Sequence, residues 1–152
     1  MTDRFVADTN LQNQVKRVWA SLGAPPKGPR PTEEQINAGI QVVVQSIKSD
    51  VDRLRARGVQ IVFVRTPSSG PSKMGEQIGF PREKYWDRIL KETGSDGIHF
   101  LDYPALDHFE CPEFSHLSPK DAIVFTQHFI RILNEEKGWK FPKLPGSLTF
   151  TR

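Results

Sequence analysis

Four things are scarce in this sequence, and each scarcity excludes a class of protein. There is one cysteine, Cys111, so no disulfide can form within the chain. No apolar run approaches the ~20 residues that a membrane-spanning helix needs. The positive residues form no Lys/Arg block: 21 basic side chains are interspersed with 18 acidic ones, giving a net charge of +3 and an isoelectric point near 9.1. That distribution reads as a solvated surface, and the clustered footprint of a nucleic-acid binder is missing. The first residues, Met1-Thr2-Asp3-Arg4-Phe5, lack the basic-then-apolar pattern of a secretory leader, so the expectation is a cytoplasmic protein.

What is present suits one α/β domain spanning residues 1–152. The hydrophobic fraction is only 37%, with mean hydropathy −0.48, but the apolar residues recur periodically and can build a core. Leu11, Val15, Val18, Trp19 and Leu22 fall at helical spacing. Residues 23–31 carry four prolines and two glycines in nine positions, which makes them a linker and closes an N-terminal segment, 1–31.

The core is expected over residues 32–138. Thr32 and Gln35 have the spacing of a capping box, and Ile36, Ile40, Val43, Val44, Ile47, Val51 and Leu54 continue one apolar stripe to a C-cap at Gly58. Residues 59–64 are nearly continuously apolar and β-branched, as in a strand covered on both faces. A turn-rich loop, 65–72, follows. A helix is predicted over 81–93, with Tyr85, Trp86, Ile89 and Leu90 inward, then a strand over 97–102 and a long loop to Leu117. Ser118-Pro119-Lys120-Asp121 opens a last helix, which Ile123, Val124, Phe125, Phe129, Ile130, Ile132 and Leu133 make broadly apolar and therefore well buried, and which Gly138 ends. Residues 139–152 read as an extended tail. Alternating helices and strands imply a parallel sheet flanked by helices, a flavodoxin-like three-layer arrangement. Two strands are few for a stable sheet, so strands from a second chain or from further sequence are expected, with Phe5-Val6-Ala7 a short candidate for a third.

The chemistry concentrates in Asp107-His108-Phe109-Glu110-Cys111-Pro112-Glu113-Phe114-Ser115-His116. Three readings stay open. Glu113 lies three residues before His116, so its carboxylate can turn back onto Nδ1 and leave Nε2 as a general base. His108, Cys111 and His116 could instead share a metal, although their spacing matches no standard zinc pattern. The third reading is a polar surface loop with Phe109, Phe114 and Leu117 packed beneath. Arg65, at a strand's carboxyl end, and Ser68 are candidates to bind substrate. Ser68, Ser69 and Ser72 are weighed as nucleophiles, but Pro-Ser-Ser-Gly-Pro is ordinary turn chemistry. Cys111 is a lesser nucleophile candidate, and His99 and His128 read as packed or surface residues.

The run from Gly58 to Pro67, the second strand, and Phe114-Ser115-His116-Leu117-Ser118 before the last helix together resemble the C-terminal half of SGNH/GDSL-type hydrolases over roughly residues 33–135. In that family the last block is Asp-x-x-His followed by Leu and a helix. The resemblance implies acyl-ester hydrolysis or acyl (often acetyl) transfer on a small ester or acylated carbohydrate, without metal or other cofactor, with His116 as base and Glu113 orienting it. Glu113 replaces the usual Asp. No match to the family's Gly-Asp-Ser nucleophile block or its Gly-x-Asn-Asp oxyanion block occurs, Asp8-Thr9-Asn10 being only a faint echo. An incomplete domain is therefore implied, inactive until a nucleophile arrives from outside this chain. The rival expectation is a non-catalytic remnant or assembly module.

Overall fold

A computed structural model describes residues 1–22 and 28–141. It is a mixed helix–strand structure: helices α1 (Asp3–Ala7), α2 (Thr9–Leu22), α3 (Glu33–Arg55), strand β1 (Val62–Arg65), α4 (Gly70–Gly79), α5 (Trp86–Thr93), strand β2 (Asp96–His99), a 3-10 turn (Phe100–Asp102) and α6 (Pro119–Glu135). Among the described residues the two strands form one parallel sheet, with Val62 opposite Asp96 and Arg65 opposite His99. Among the described residues no helix is long and apolar enough to cross a membrane.

Local chemistry explains the element ends. Thr32 and Gln35 make the reciprocal capping box that starts α3. Past Arg55, the amides of residues 56–59 fold back onto α3 carbonyls, and Gly58 takes the left-handed turn (φ 79°) that an L side chain would resist. Gly94 (φ 58°) does the same after α5. Ser118 caps α6, its hydroxyl accepting from Asp121 N–H.

The two faces of β2 meet different helices, as a strand's period of two requires. On one face Gly97 lies under Leu90 and Trp86 of α5, so close that a Cβ there would fall 2.5 Å from Leu90 Cδ1 and 2.9 Å from Trp86 Cζ2. On the other, Ile98 joins Phe100, Leu106, Phe109 and α6 residues Phe125, Ile132 and Leu133 in the buried core. Helix α3 covers α5: the Arg55 guanidinium donates to the carbonyls of Thr93 and Gly94, and Lys84 pairs with Glu33.

Several sequence expectations need correction. Phe5-Val6-Ala7 belongs to α1 rather than to a third strand, because Thr2 caps a helical turn there. The first strand is 62–65, not 59–64, since pairing begins where Asp96 is available, and Val59 is still bonded to Leu54. The second is 96–99, its last three expected residues winding into the 3-10 turn. The helix expected over 81–93 begins only at Trp86, after turns in which Lys84 and Tyr85 bond back to Pro81 and Arg82. The loop expected over 65–72 instead starts α4 at Gly70, and α6 stops at Glu135 before Gly138. Helix α6 buries only one face, through Phe125, Ile132 and Leu133, and leaves Ile123, Val124 and Ile130 exposed. The linker expectation at 23–27 and the tail expectation from Pro142 onward lie outside the described residues.

Candidate functional site

The loop after the 3-10 turn is fastened from below. Leu106 and Phe109 are driven into the core, and Phe109 meets Phe125 edge-on at 5.9 Å between ring centroids. The next fastening comes from the loop after β1. Ser69 Oγ accepts the Cys111 backbone N–H at 2.8 Å, and Ser69 N–H donates to Phe114 O at 3.0 Å. A further bond, Phe114 N–H to Cys111 O at 3.0 Å, closes the turn. Phe114 itself sits at φ 79°, a conformation costing roughly 1–2 kcal/mol for a residue with a side chain. Its ring covers Gly70, where a Cβ would meet ring carbons at 3.0 Å.

This turn sends Glu113 inward and His116 outward. Glu113 Oε1 lies 2.8 Å from His116 Nδ1, with the carboxylate side chain 4% exposed and the imidazole 65% exposed. The second carboxylate oxygen, Oε2, accepts from Trp19 Nε1 and from Ser115 Oγ, each at 2.8 Å. Ser115 Oγ is also 2.9 Å from His116 Nδ1. Burial is the largest single influence on the Glu113 carboxyl and pushes it up. The hydrogen bonds from Ser115, Trp19 and His116, with the attraction of the imidazolium, together outweigh that and hold it below the ordinary carboxylate range. An ionised carboxylate can only accept, so His116 donates its Nδ1 proton and Ser115 its hydroxyl proton. In the neutral imidazole this leaves a lone pair on Nε2, which has no partner among the described residues.

The expected acid–histidine pair is therefore assembled, whereas the alternative metal set is dispersed. His108 Nδ1 pairs with Pro104 O at 3.1 Å, its ring stacked on Phe109. Cys111 Sγ faces Pro67 O at 3.5 Å, is buried, and its thiol is pushed up chiefly by that burial. Among the described residues no three His, Cys, Asp or Glu side chains gather into a group that could hold a metal. Asp8 caps α2, its Oδ1 accepting from Leu11 N–H, and makes no part of a nucleophile block.

Arg65 and Ser68 do come together, but around Glu76 rather than at an open position. Arg65 Nε and Nη2 bind both Glu76 oxygens, Arg65 Nη1 donates to Thr66 O, and buried Ser68 donates to Glu76 Oε2 at 3.1 Å. All three guanidinium nitrogens are thus engaged, and the arrangement ties the end of β1 to α4. Arg65 also lines a cleft of about 530 Å³ with Lys73, Phe80, Trp86, His99 and Phe100. His99 accepts the Leu101 N–H on Nδ1, and burial holds its imidazole below the usual range.

Sequence reasoning missed two members of the cluster. Ser115, between the two members of the pair, was within reach of a local reading. Trp19 was not: it counted only as part of an apolar stripe, and 94 residues separate it from Glu113. No protein-family model, curated protein or solved structure matches this chain.

Proposed function

We propose that Glu113 and His116 are the base half of a hydrolase-type acyl-transfer site, in which Nε2 takes the proton of an attacking hydroxyl. One observation carries this reading: a buried, ionised carboxylate bonded to Nδ1 of a histidine whose ring stands in solvent. Glu113 keeps the Nδ1 proton in place and stabilises the imidazolium that forms. His116 then returns the captured proton to the leaving alcohol. The longer Glu replaces the Asp of SGNH-type hydrolases without losing the contact, since the chain reversal at Phe114 brings Oε1 to 2.8 Å.

The nucleophile comes from a second polypeptide. Ser115 is spent on Glu113, Ser69 on Cys111 N–H and Ser68 on Glu76, and none of these bonds is to Nε2. With helices on both faces of β2, the architecture supports a three-layer α/β fold completed by further strands. Strand β1 pairs only with β2 among the described residues, leaving its other edge for such a partner. The substrate class is a small ester or an acylated carbohydrate, in a cytoplasmic setting.

A fluorophosphonate, which labels activated serines, tests the arrangement. The chain alone should remain unlabelled, and a stoichiometric label on any of its serines would overturn the supply of the nucleophile from outside. The same open edge supports a second reading, an assembly module without catalysis. Gel filtration of a strictly monomeric chain that binds neither itself nor another chain would remove both forms of sheet completion.

A further inference from the structure

Helix α2 reaches the acid–histidine pair through two side chains one turn apart. Trp19 Nε1 donates to Glu113 Oε2 at 2.8 Å, and Lys16 Nζ stands 4.8 Å from the centroid of the Phe114 ring. Residues 16 and 19 share a helix face, and their targets are consecutive in the loop. Trp19 is 42% exposed, so its indole lies against the surface with one edge turned to a buried carboxylate. A tryptophan in that position is poorly explained by hydrophobic burial alone.

We infer that Trp19 is a positioning residue of the site, and that Trp19 and Lys16 make α2 a clasp holding Glu113 in line with His116. The inference rests on the base reading above for its catalytic meaning but not for its geometry. Glu113 Oε1 serves His116, and Oε2 is anchored by two donors, Ser115 and Trp19. Ser115 also contacts the imidazole, so it moves with the pair. Trp19 is the anchor from a separate element, and it prevents the carboxylate from rotating about its last bond. Lys16 holds the neighbouring Phe114, whose left-handed backbone sets the direction in which Glu113 points. A bond to an ionised acceptor is stronger than a neutral one, so one indole N–H suffices to bias the carboxylate's rotamer and protonation. Displacement of α2 would therefore loosen the base without touching it.

Trp19→Phe keeps the ring and deletes the donor. With selectively 13C-labelled glutamate, the Glu113 carboxyl should titrate at higher pH in Trp19→Phe than in the parent chain, with amide spectra showing both folded. The Nδ1–H form of His116, read from imidazole 15N shifts, should become less populated. Turnover of p-nitrophenyl acetate should fall about twofold to threefold in kcat, less than in Glu113→Gln, with KM nearly unchanged. Reciprocally, Glu113→Gln should move the Trp19 indole 1H–15N resonance upfield. An unmoved Glu113 titration together with an unmoved indole resonance would overturn the positioning role, whatever the activity. If both move while His116→Ala hydrolyses p-nitrophenyl acetate as fast as the parent chain, the clasp stands and the hydrolase reading is what fails.

Discussion

Ser69 and Cys111 lie 42 residues apart in sequence, yet the hydroxyl of one accepts the backbone N–H of the other at 2.8 Å. That bond joins the loop at the carboxyl end of β1 to the loop after β2, so the parallel sheet sets where Glu113 and His116 stand. The candidate site is held by the strand register and does not depend on its own loop alone.

Acid should expose the contribution of Glu113 to stability. Its carboxyl is held below the ordinary value of 4.5 in the folded chain, so the unfolded chain binds more protons as pH falls. The stabilisation is complete above the unfolded value and drains away as pH drops through the folded one. Urea midpoints measured from pH 6 down to pH 3 should fall more steeply for the parent than for Glu113→Gln. Parallel curves would show that the carboxylate gains nothing on folding.

Gly97→Ala should destabilise the sheet. The new methyl would meet Leu90 Cδ1, which can rotate away, and the rigid Trp86 ring, which cannot do so without moving α5. Overpacking of this kind costs about 1–3 kcal/mol, and at roughly 2–4 °C per kcal/mol for a chain of this size the thermal midpoint should drop by several degrees. An unchanged midpoint would mean that α5 is not pressed onto β2.

Cys111 should be silent toward thiol reagents while the chain is folded. It is 4% exposed, and burial raises its thiol, so little thiolate is present at neutral pH. Ellman's reagent should react slowly in buffer and rapidly to one equivalent in denaturant. Rapid reaction with the native chain would place the thiol at the surface and reopen a nucleophilic or metal-binding role for it.

The legibility of this fold followed the range of the interactions. The α3 capping box, the Gly58 turn and the Ser118–Pro119 start of α6 depend on contacts within four residues, and the sequence pattern locates all three. Helix α4 was hidden because Pro67, Gly70 and Pro71 read as turn residues. Pro71 in fact occupies the first turn of the helix, where its missing N–H costs nothing. Strand limits shifted because pairing, not hydrophobicity, decides where a strand begins: Val59 is apolar but has no partner in β2. In the site, Glu113 and His116 were readable from their spacing, and the burial of Cys111 was not, since it follows from Ser69 and Pro67 in a distant loop. Trp19 was illegible for the same reason.

The most direct measurement of the central claim is the rate of p-nitrophenyl acetate hydrolysis by the parent chain, His116→Ala and Glu113→Gln. This activated ester needs no serine, because an oriented imidazole can attack it or deprotonate water beside it. The parent rate should exceed that of His116→Ala by about tenfold or more, with Glu113→Gln in between. Equal rates in the parent and in His116→Ala would contradict the assignment of His116 as a base.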